Sequence, residues 1–341
     1  TSDFRLPPDL YSFNLEQYGV SMKPDELAGI ARSAYGAIQE EMQEVARLVA
    51  EEKGLELNDY RDVIRALKSE QIVGEEILPL YRRRAEDLET IIRDAGLVTL
   101  PERPMAIRLA SEAESAASPA PHMRPPRLIG NTGEVGEFVL PLNVPGKEAD
   151  KGGKIDDFTF VAASWTLTAH EGRPGHEMQF SSMVERGVST ARVIFAFNSV
   201  NVEGWGLYSE AIVFPFLPPE GKLIALQHRL IRAARAYLDP ELQMGVITKE
   251  EAYRILREEV VLSEAMATQE VDRYTFRAPG QATSYFYGFI RLMELRKEVE
   301  EELSDDFNQR GFHDFILSQG LLPPRLMREA VLKEFQIDNR R

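Results

Sequence analysis

The chain has 341 residues, 43% of them hydrophobic, with 55 acidic and 40 basic side chains and a net charge of −15. So acidic a surface repels phosphate backbones, which argues against nucleic acid as a partner. Cysteine is absent, so disulfides and thiolate metal sites are excluded and any metal must take His, Asp or Glu ligands; a chain without thiols suits the cytosol and an oxidising periplasm equally.

The first hundred residues read as helix. Pro24-Asp25-Glu26 supplies a start, Leu27, Ile30, Ala31, Ala34, Ile38, Met42, Val45 and Val49 recur at helical spacing, and Gly54 supplies a stop. A second amphipathic pattern runs from about 75 to 94 and ends near Gly96. The Arg82-Arg83-Arg84 run on it reads as a solvated helix face.

Residues 101–157 concentrate Pro, Gly, Ser and Asn. Short strand-like runs at 105–110, 127–129 and 137–142 predict a small sheet threaded through long loops. The Ala-, Ser- and Pro-rich stretch 113–126 predicts a flexible or lid segment. From 158 onward the pattern is helical again, over 158–171, 174–186, 199–214, 219–238, 248–260, 281–302, 306–319 and 323–335. The expected fold is mainly α with an α+β component. It divides into an N-terminal helical region (1–100), a small β-sheet and loop region (101–157) and a helical catalytic region (158–341). No apolar run reaches the length of a membrane span.

The segment from His170 to His176, His-Glu-Gly-Arg-Pro-Gly-His, carries two of only five histidines. Two imidazoles and a separate carboxylate are what a catalytic zinc takes as protein ligands, with one position left open. Six residues apart, the two histidines would diverge by about 120° on one straight helix. Pro174 and Gly175 lie between them, and they predict a break that turns His176 back toward His170. Glu203, in the later run Glu203-Gly204-Trp205-Gly206-Leu207-Tyr208-Ser209-Glu210, supplies the third ligand in this reading. Glu210, seven positions on, shares its helix face and is expected to orient a histidine. Glu171 is expected to act as general base toward the attacking water.

His170 to Gln179 fits His-Glu-x-x-Pro-Gly-His-x-x-Gln, and Glu203 to Glu210 fits Glu-Gly-Trp-x-x-Tyr-x-Glu. Arg273, Tyr274, Pro279, Gly280, Gln281, Ala282, Ser284, Tyr285 and Gly288 match a third motif, and Phe312, His313, Asp314, Gly320 and Pro323 a fourth. With these four ordered motifs the chain resembles a large, mainly bacterial family catalogued as a domain of unknown function and grouped with gluzincin-like zinc metallopeptidases. The resemblance implies a helical zinc-metallopeptidase-like architecture with a small sheet beside the active-site helix. It implies Zn2+, or another divalent metal, on His170, His176 and Glu203, with Glu171 as base. Family members are usually longer, with a further helical N-terminal region, so a separate N-terminal half or a second copy is an expected partner. Glu177 stands where another His is frequent, and it is assigned no role.

A zinc hydrolase also needs a donor opposite the metal for the developing oxyanion. Tyr285, where a loop enters a helix, is the first choice, with Tyr274, Arg273 and His313 next. Glu210, Tyr208, Arg273, Tyr274 and Gln281 are assigned to the shell around the metal or to substrate. His228 reads as a surface or ion-pair residue, and His122 carries no signal. Arg232, Arg235 and Asp239 read as an ion-pair network, with a bidentate substrate carboxylate as the other use of the arginines. The 137–142 run is expected to receive an extended peptide by strand addition.

The leading functional expectation is a zinc-dependent peptidase acting on a peptide or small amide. A zinc hydrolase of a non-peptide amide or ester, or a non-catalytic helical binding protein, are the alternatives. The compartment is open between cytoplasm, periplasm and secretion, in a bacterial setting.

Overall fold

Helices dominate the computed structural model, which describes residues 3–118, 120–141 and 155–337. In chain order they begin with α1 (Pro8–Tyr18), α2 (Pro24–Lys53), α3 (Tyr60–Lys68) and α4 (Ile77–Asp94). The strands β1 (Ala106–Leu109), β2 (His122–Arg124) and β3 (Glu137–Leu140) follow, with α5 (Glu112–Ala117) between the first two. Then come α6 (Ala163–Glu171), α7 (His176–Arg186), α8 (Thr190–Phe195), α9 (Ser199–Val213) and α10 (Pro219–Met244). The chain closes through α11 (Lys249–Arg254), α12 (Glu264–Asp272), α13 (Thr283–Leu303), α14 (Gln309–Ser318) and α15 (Pro324–Glu334). Among the described residues, no helix is long and apolar enough to cross a membrane.

The apolar stripe of α2 sets the main core. Leu27, Ala31, Ile38, Met42, Ala46 and Val49 recur every three or four residues and are all buried. The helix stops at Gly54 in a left-handed cap. Its stripe lies along α10, where Tyr35 and Tyr237 meet edge to face at 5.4 Å and Arg32 pairs with Glu241. Nearly every side chain of α10 from Leu223 to Gln243 is buried, apolar and polar alike. A helix covered on all sides marks the centre of the fold, and the polar groups it carries there need partners.

The sheet has strand order β1-β3-β2, with β1 parallel and β2 antiparallel to β3. Ile107 and Met123 both face Phe138 in register. β3 is therefore paired on both sides and cannot receive a further strand, so the 137–142 run does not have the peptide-binding role expected of it; Leu142 lies outside the described residues. β1 and β2 are the edge strands, and β2 is the one beside the end of α6. It falls inside the stretch expected to be flexible, and 127–129 forms no strand. The same stretch holds α5, started by a capping box in which Ser111 and Glu114 exchange side-chain and backbone hydrogen bonds. The small residues there have loop-like composition, while Ser-x-x-Glu marks a helix start.

A second core gathers α4, α9, α13, α14 and α15 around Trp205, Tyr208 and Phe312. His313 sits in it, fully buried. Its Nε2 meets the Tyr208 hydroxyl at 2.6 Å and its Nδ1 meets the Leu97 carbonyl oxygen at 2.7 Å. With both ring nitrogens used, His313 ties α14 to α9 and to the end of α4. Burial lowers its pKa from 6.5 to about 4. As pH falls, the unfolded chain therefore takes up this proton first. The stabilisation from His313 is complete above pH 6.5 and is lost between 6.5 and about 4. His313→Gln should destabilise the protein at neutral pH, by about 1–3 kcal/mol if a buried partner is left unpaired. It should also flatten the pH dependence of stability over that window. Urea melts of both proteins from pH 4 to 8 check this; parallel curves would contradict it.

Candidate metal centre

α6 ends on His170-Glu171 and α7 begins on His176. Between them lie Gly172, a cis Arg173–Pro174 peptide and Gly175. A Cβ on Gly175 would stand 1.9 Å from the His170 carbonyl oxygen, so only glycine lets α7 start this close to the end of α6. The bend is pinned from outside. Trp205 Nε1 donates to the Pro174 carbonyl oxygen at 2.9 Å. Arg173 donates to Glu177 at 2.6 Å, to Glu89 at 3.0 Å and to the Arg103 carbonyl oxygen at 2.7 Å. Glu177, left without a role by sequence, is fully buried as the anchor of this clamp. The two imidazole rings end 4.6 Å apart, instead of diverging as on a straight helix.

α9 brings the carboxylates. Glu203 Oε2 lies 3.6 Å from His170 Nε2 and 3.5 Å from His176 Nε2. Both distances exceed an ordinary hydrogen bond. They match the spacing of about 3.4 Å between neighbouring ligands of a tetrahedral cation with bonds of about 2.1 Å. Glu210 Oε1 takes the other side of the same ring, 2.6 Å from His170 Nδ1, while its Oε2 accepts from Thr166 at 2.6 Å. Gly206 lies between the two glutamates on the same helix face. A Cβ there would come within 2.5 Å of the His170 ring. The ring thus lies flat on bare backbone, gripped at one nitrogen by Glu210 and facing Glu203 with the other.

Glu171 stands beside this pair. His170, Glu171 and His176 each offer one ligand atom, all within 4.8 Å of one another. The backbone N–H of Met123 on β2 donates to Glu171 Oε2 at 2.9 Å, which puts the edge of the sheet against the end of α6. Burial by itself disfavours a charged His170, but Glu203 and Glu210 outweigh it and raise its pKa to about 9. Burial would raise the Glu203 carboxyl, yet the two histidines hold it well below its usual value. Buried Glu210 is likewise held at about 2, chiefly by Arg232 and His170. Three carboxylates around two imidazoles form a site that favours positive charge, whether as a proton or as a cation. The donor set of two nitrogens and carboxylate oxygens, free of sulfur, fits zinc or a neighbouring divalent metal. With a cation in place, Glu210 accepting from His170 Nδ1–H would leave Nε2 free to ligate it. Buried His176 Nδ1 has no such partner among the described residues.

The site opens into a cavity of about 680 Å³ lined by His170, Glu171, His176, Glu203, Tyr285 and Arg273. The Tyr285 hydroxyl accepts from Arg273 at 3.4 Å, and burial together with the Glu203 charge pushes its pKa up. Tyr274 and Gln281 stand behind this wall. Tyr274 donates to Glu270 at 2.6 Å, and Gln281 accepts from Arg273. His313 and Tyr208 are bonded to each other in the second core and do not line the cavity. The oxyanion-donor role expected of His313 and the metal or substrate role expected of Tyr208 therefore fall away.

Two histidines that sequence passed over do reach the cavity. His122 lies on β2, and His228 is buried on α10 rather than on a surface. Burial, then Arg232, depresses the His228 pKa to about 3, so its ring is neutral. The expected network of Arg232, Arg235 and Asp239 is also redrawn. Arg235 forms a bidentate pair with Glu270 at 2.7 and 2.8 Å. Asp239 instead accepts from Gly280 N–H and the Tyr11 hydroxyl, each at 2.9 Å. On a wheel these residues look like a charged face. The signal that could have relocated them is the length of α10, too long and too apolar on its remaining faces to lie on a surface.

Solved structures that share this fold include the following two. One is a protein of Colwellia psychrerythraea provisionally described as a lipoprotein, at 22% identity and a TM-score of 0.81 over 97% of this chain. The other is a protein of Shewanella oneidensis, provisionally described as a lipoprotein of unknown function, at 22% identity and a TM-score of 0.82 over 97% of this chain. The chain spans 56% and 60% of the lengths of these two proteins. No functionally curated protein gives a significant match. The family model described as bacterial protein of unknown function (DUF885) matches residues 1–331, and the chain belongs to that family.

Proposed function

We propose that this protein is a zinc-dependent hydrolase that cleaves peptide bonds. The observation that carries the reading is the placing of Glu203 Oε2 at ligand-to-ligand distance from both His170 Nε2 and His176 Nε2, with Glu171 at their side. A divalent cation held by His170, His176 and Glu203 would supply Lewis acidity to a carbonyl oxygen and acidity to water. The protein's own groups account for the rest. Glu171, steadied by the Met123 N–H, takes the proton of the attacking water and hands it to the leaving nitrogen. Tyr285, a phenol on the cavity lining that is protonated at neutral pH, can donate to a developing oxyanion. Neutral His228 on the cavity wall is a second donor of the right type.

The edge strand β2, rather than β3, is the place for an extended substrate. It borders the cavity through His122 and Met123. Strand addition there would bind backbone and leave side-chain demands to the apolar lining, which includes Leu167, Phe180 and Ile231. The lipoprotein descriptions of the two structural relatives favour a location outside the cytoplasm.

Three variants test the reading. Glu171→Gln should keep one zinc per chain and lose at least about a thousandfold in turnover of a quenched-fluorescent peptide library, as expected for loss of a general base with the cation retained. Glu203→Ala should lose the zinc itself, measured by metal analysis after dialysis. Gly206→Ala removes no ligand, but its added carbon displaces the His170 ring, so zinc affinity should fall at least about tenfold. Full activity of Glu171→Gln, or zinc retained in Glu203→Ala, would refute the assignment. Cleavage of small esters or amides with no cleavage of peptides would move the function to a non-peptide hydrolase.

A further inference from the structure

Four arginines line the cavity, and three of them, Arg232, Arg235 and Arg273, are deeply placed in it. Two are committed. Arg235 holds Glu270 through two hydrogen bonds, and Arg273 reaches the same carboxylate at 3.3 Å while also bonding Gln281. Arg232 is different. It is only 8% exposed. It donates to the His228 carbonyl oxygen at 2.9 Å, and its buried Nε–H meets no acceptor among the described residues. The nearest carboxylate oxygen, Glu210 Oε1, is 3.8 Å away, beyond hydrogen-bond range, and is already bonded to His170. Burying a guanidinium without a bonded anion is costly, and five N–H donors in a planar fork suit a carboxylate.

We propose that Arg232 receives a free carboxylate of the substrate, which makes the site one for peptides cut next to their C-terminus. This rests on the hydrolase reading above and adds the substrate class. The distances support it. Arg232 Nη2 and His170 Nδ1 both neighbour Glu210 Oε1, so the guanidinium lies within about 9 Å of His170 Nε2, and an extended chain advances at most about 3.6 Å per residue. One or two residues fit between the carbonyl under attack and an anchored terminal carboxylate. Hydrolysis adds water across the C–N bond, leaving a new carboxylate on the longer fragment and a free amine on the short one. The apolar residues Leu167, Phe180, Ile231 and Met266 on the cavity lining suit a hydrophobic terminal residue.

The probes are an N-acetylated phenylalanyl-leucine dipeptide with a free C-terminus and the same dipeptide as its C-terminal amide. Calorimetry with the zinc-loaded Glu171→Gln protein reads binding without turnover. The acid should bind at least about tenfold more tightly than the amide, because only the acid completes the bidentate pair. Adding Arg232→Gln should bring the two within about twofold. Arg232→Lys, which keeps the charge without the fork, should fall between them and serves if Arg232→Gln does not fold. Equal binding of acid and amide, no measurable binding of the acid at millimolar concentration, or a preference that survives Arg232→Gln overturns the proposal. Tighter binding of the acid with no cleavage of any peptide by the zinc-loaded wild type would leave the carboxylate site standing and overturn the hydrolase reading instead.

Discussion

One imidazole ring lies on bare helix backbone, and the candidate centre depends on that contact. His170 can sit between Glu203 and Glu210 because Gly206, on the same face of α9, has no side chain. Glu210 takes one nitrogen, and Glu203 faces the other. His176 joins them because Gly175 allows α7 to begin against the end of α6. The approach of α9 to its other neighbour, α13, is equally tight. A Cβ on Gly288 would meet the Val200 carbonyl oxygen at 2.1 Å. Glycine thus sets the position of α9 on both flanks, and the carboxylates it carries inherit that precision. Such close-packed surroundings relax little, so even one added carbon is felt.

Charge follows from the same geometry. Glu171, Glu203 and Glu210 crowd around two histidines, and the resulting field favours a cation. The same cavity also carries positive charge, with Arg235 and Arg273 sharing Glu270 and Arg232 beside them. A substrate in the cavity would present its polarised carbonyl to the carboxylate and imidazole cluster and negative charge to the guanidiniums. In a low-dielectric pocket such separation is worth far more than on a surface, and it orients as well as binds.

Much of this was legible in the sequence, because some signals are local. Six-residue spacing with Pro and Gly inside forces a break, and the break is there. Glu203 and Glu210 lie seven apart on a helix and do share a face. Gly54 ends α2 as its conformational freedom suggests. Other features were illegible for physical reasons. Whether a charged helical residue is solvated or buried depends on what packs against it, so His228 reads as a surface or ion-pair residue, and the partners of Arg232 and Arg235 cannot be read from spacing alone. His313 has the same composition signal as a catalytic histidine, and only the placing of Tyr208 and Leu97 shows it to be a structural tie. Three-residue β2 is too short to carry a periodic pattern, and its pairing with β3 is a long-range fact. The edge position that matters for substrate is a property of the sheet, not of any strand.

The most direct test of the central claim is a zinc-edge anomalous difference map from crystals grown with zinc. The account predicts one strong peak within bonding distance of His170 Nε2, His176 Nε2 and Glu203 Oε2, with His170 Nδ1 still on Glu210. A map with no peak there, or with zinc held only by surface carboxylates, would contradict it.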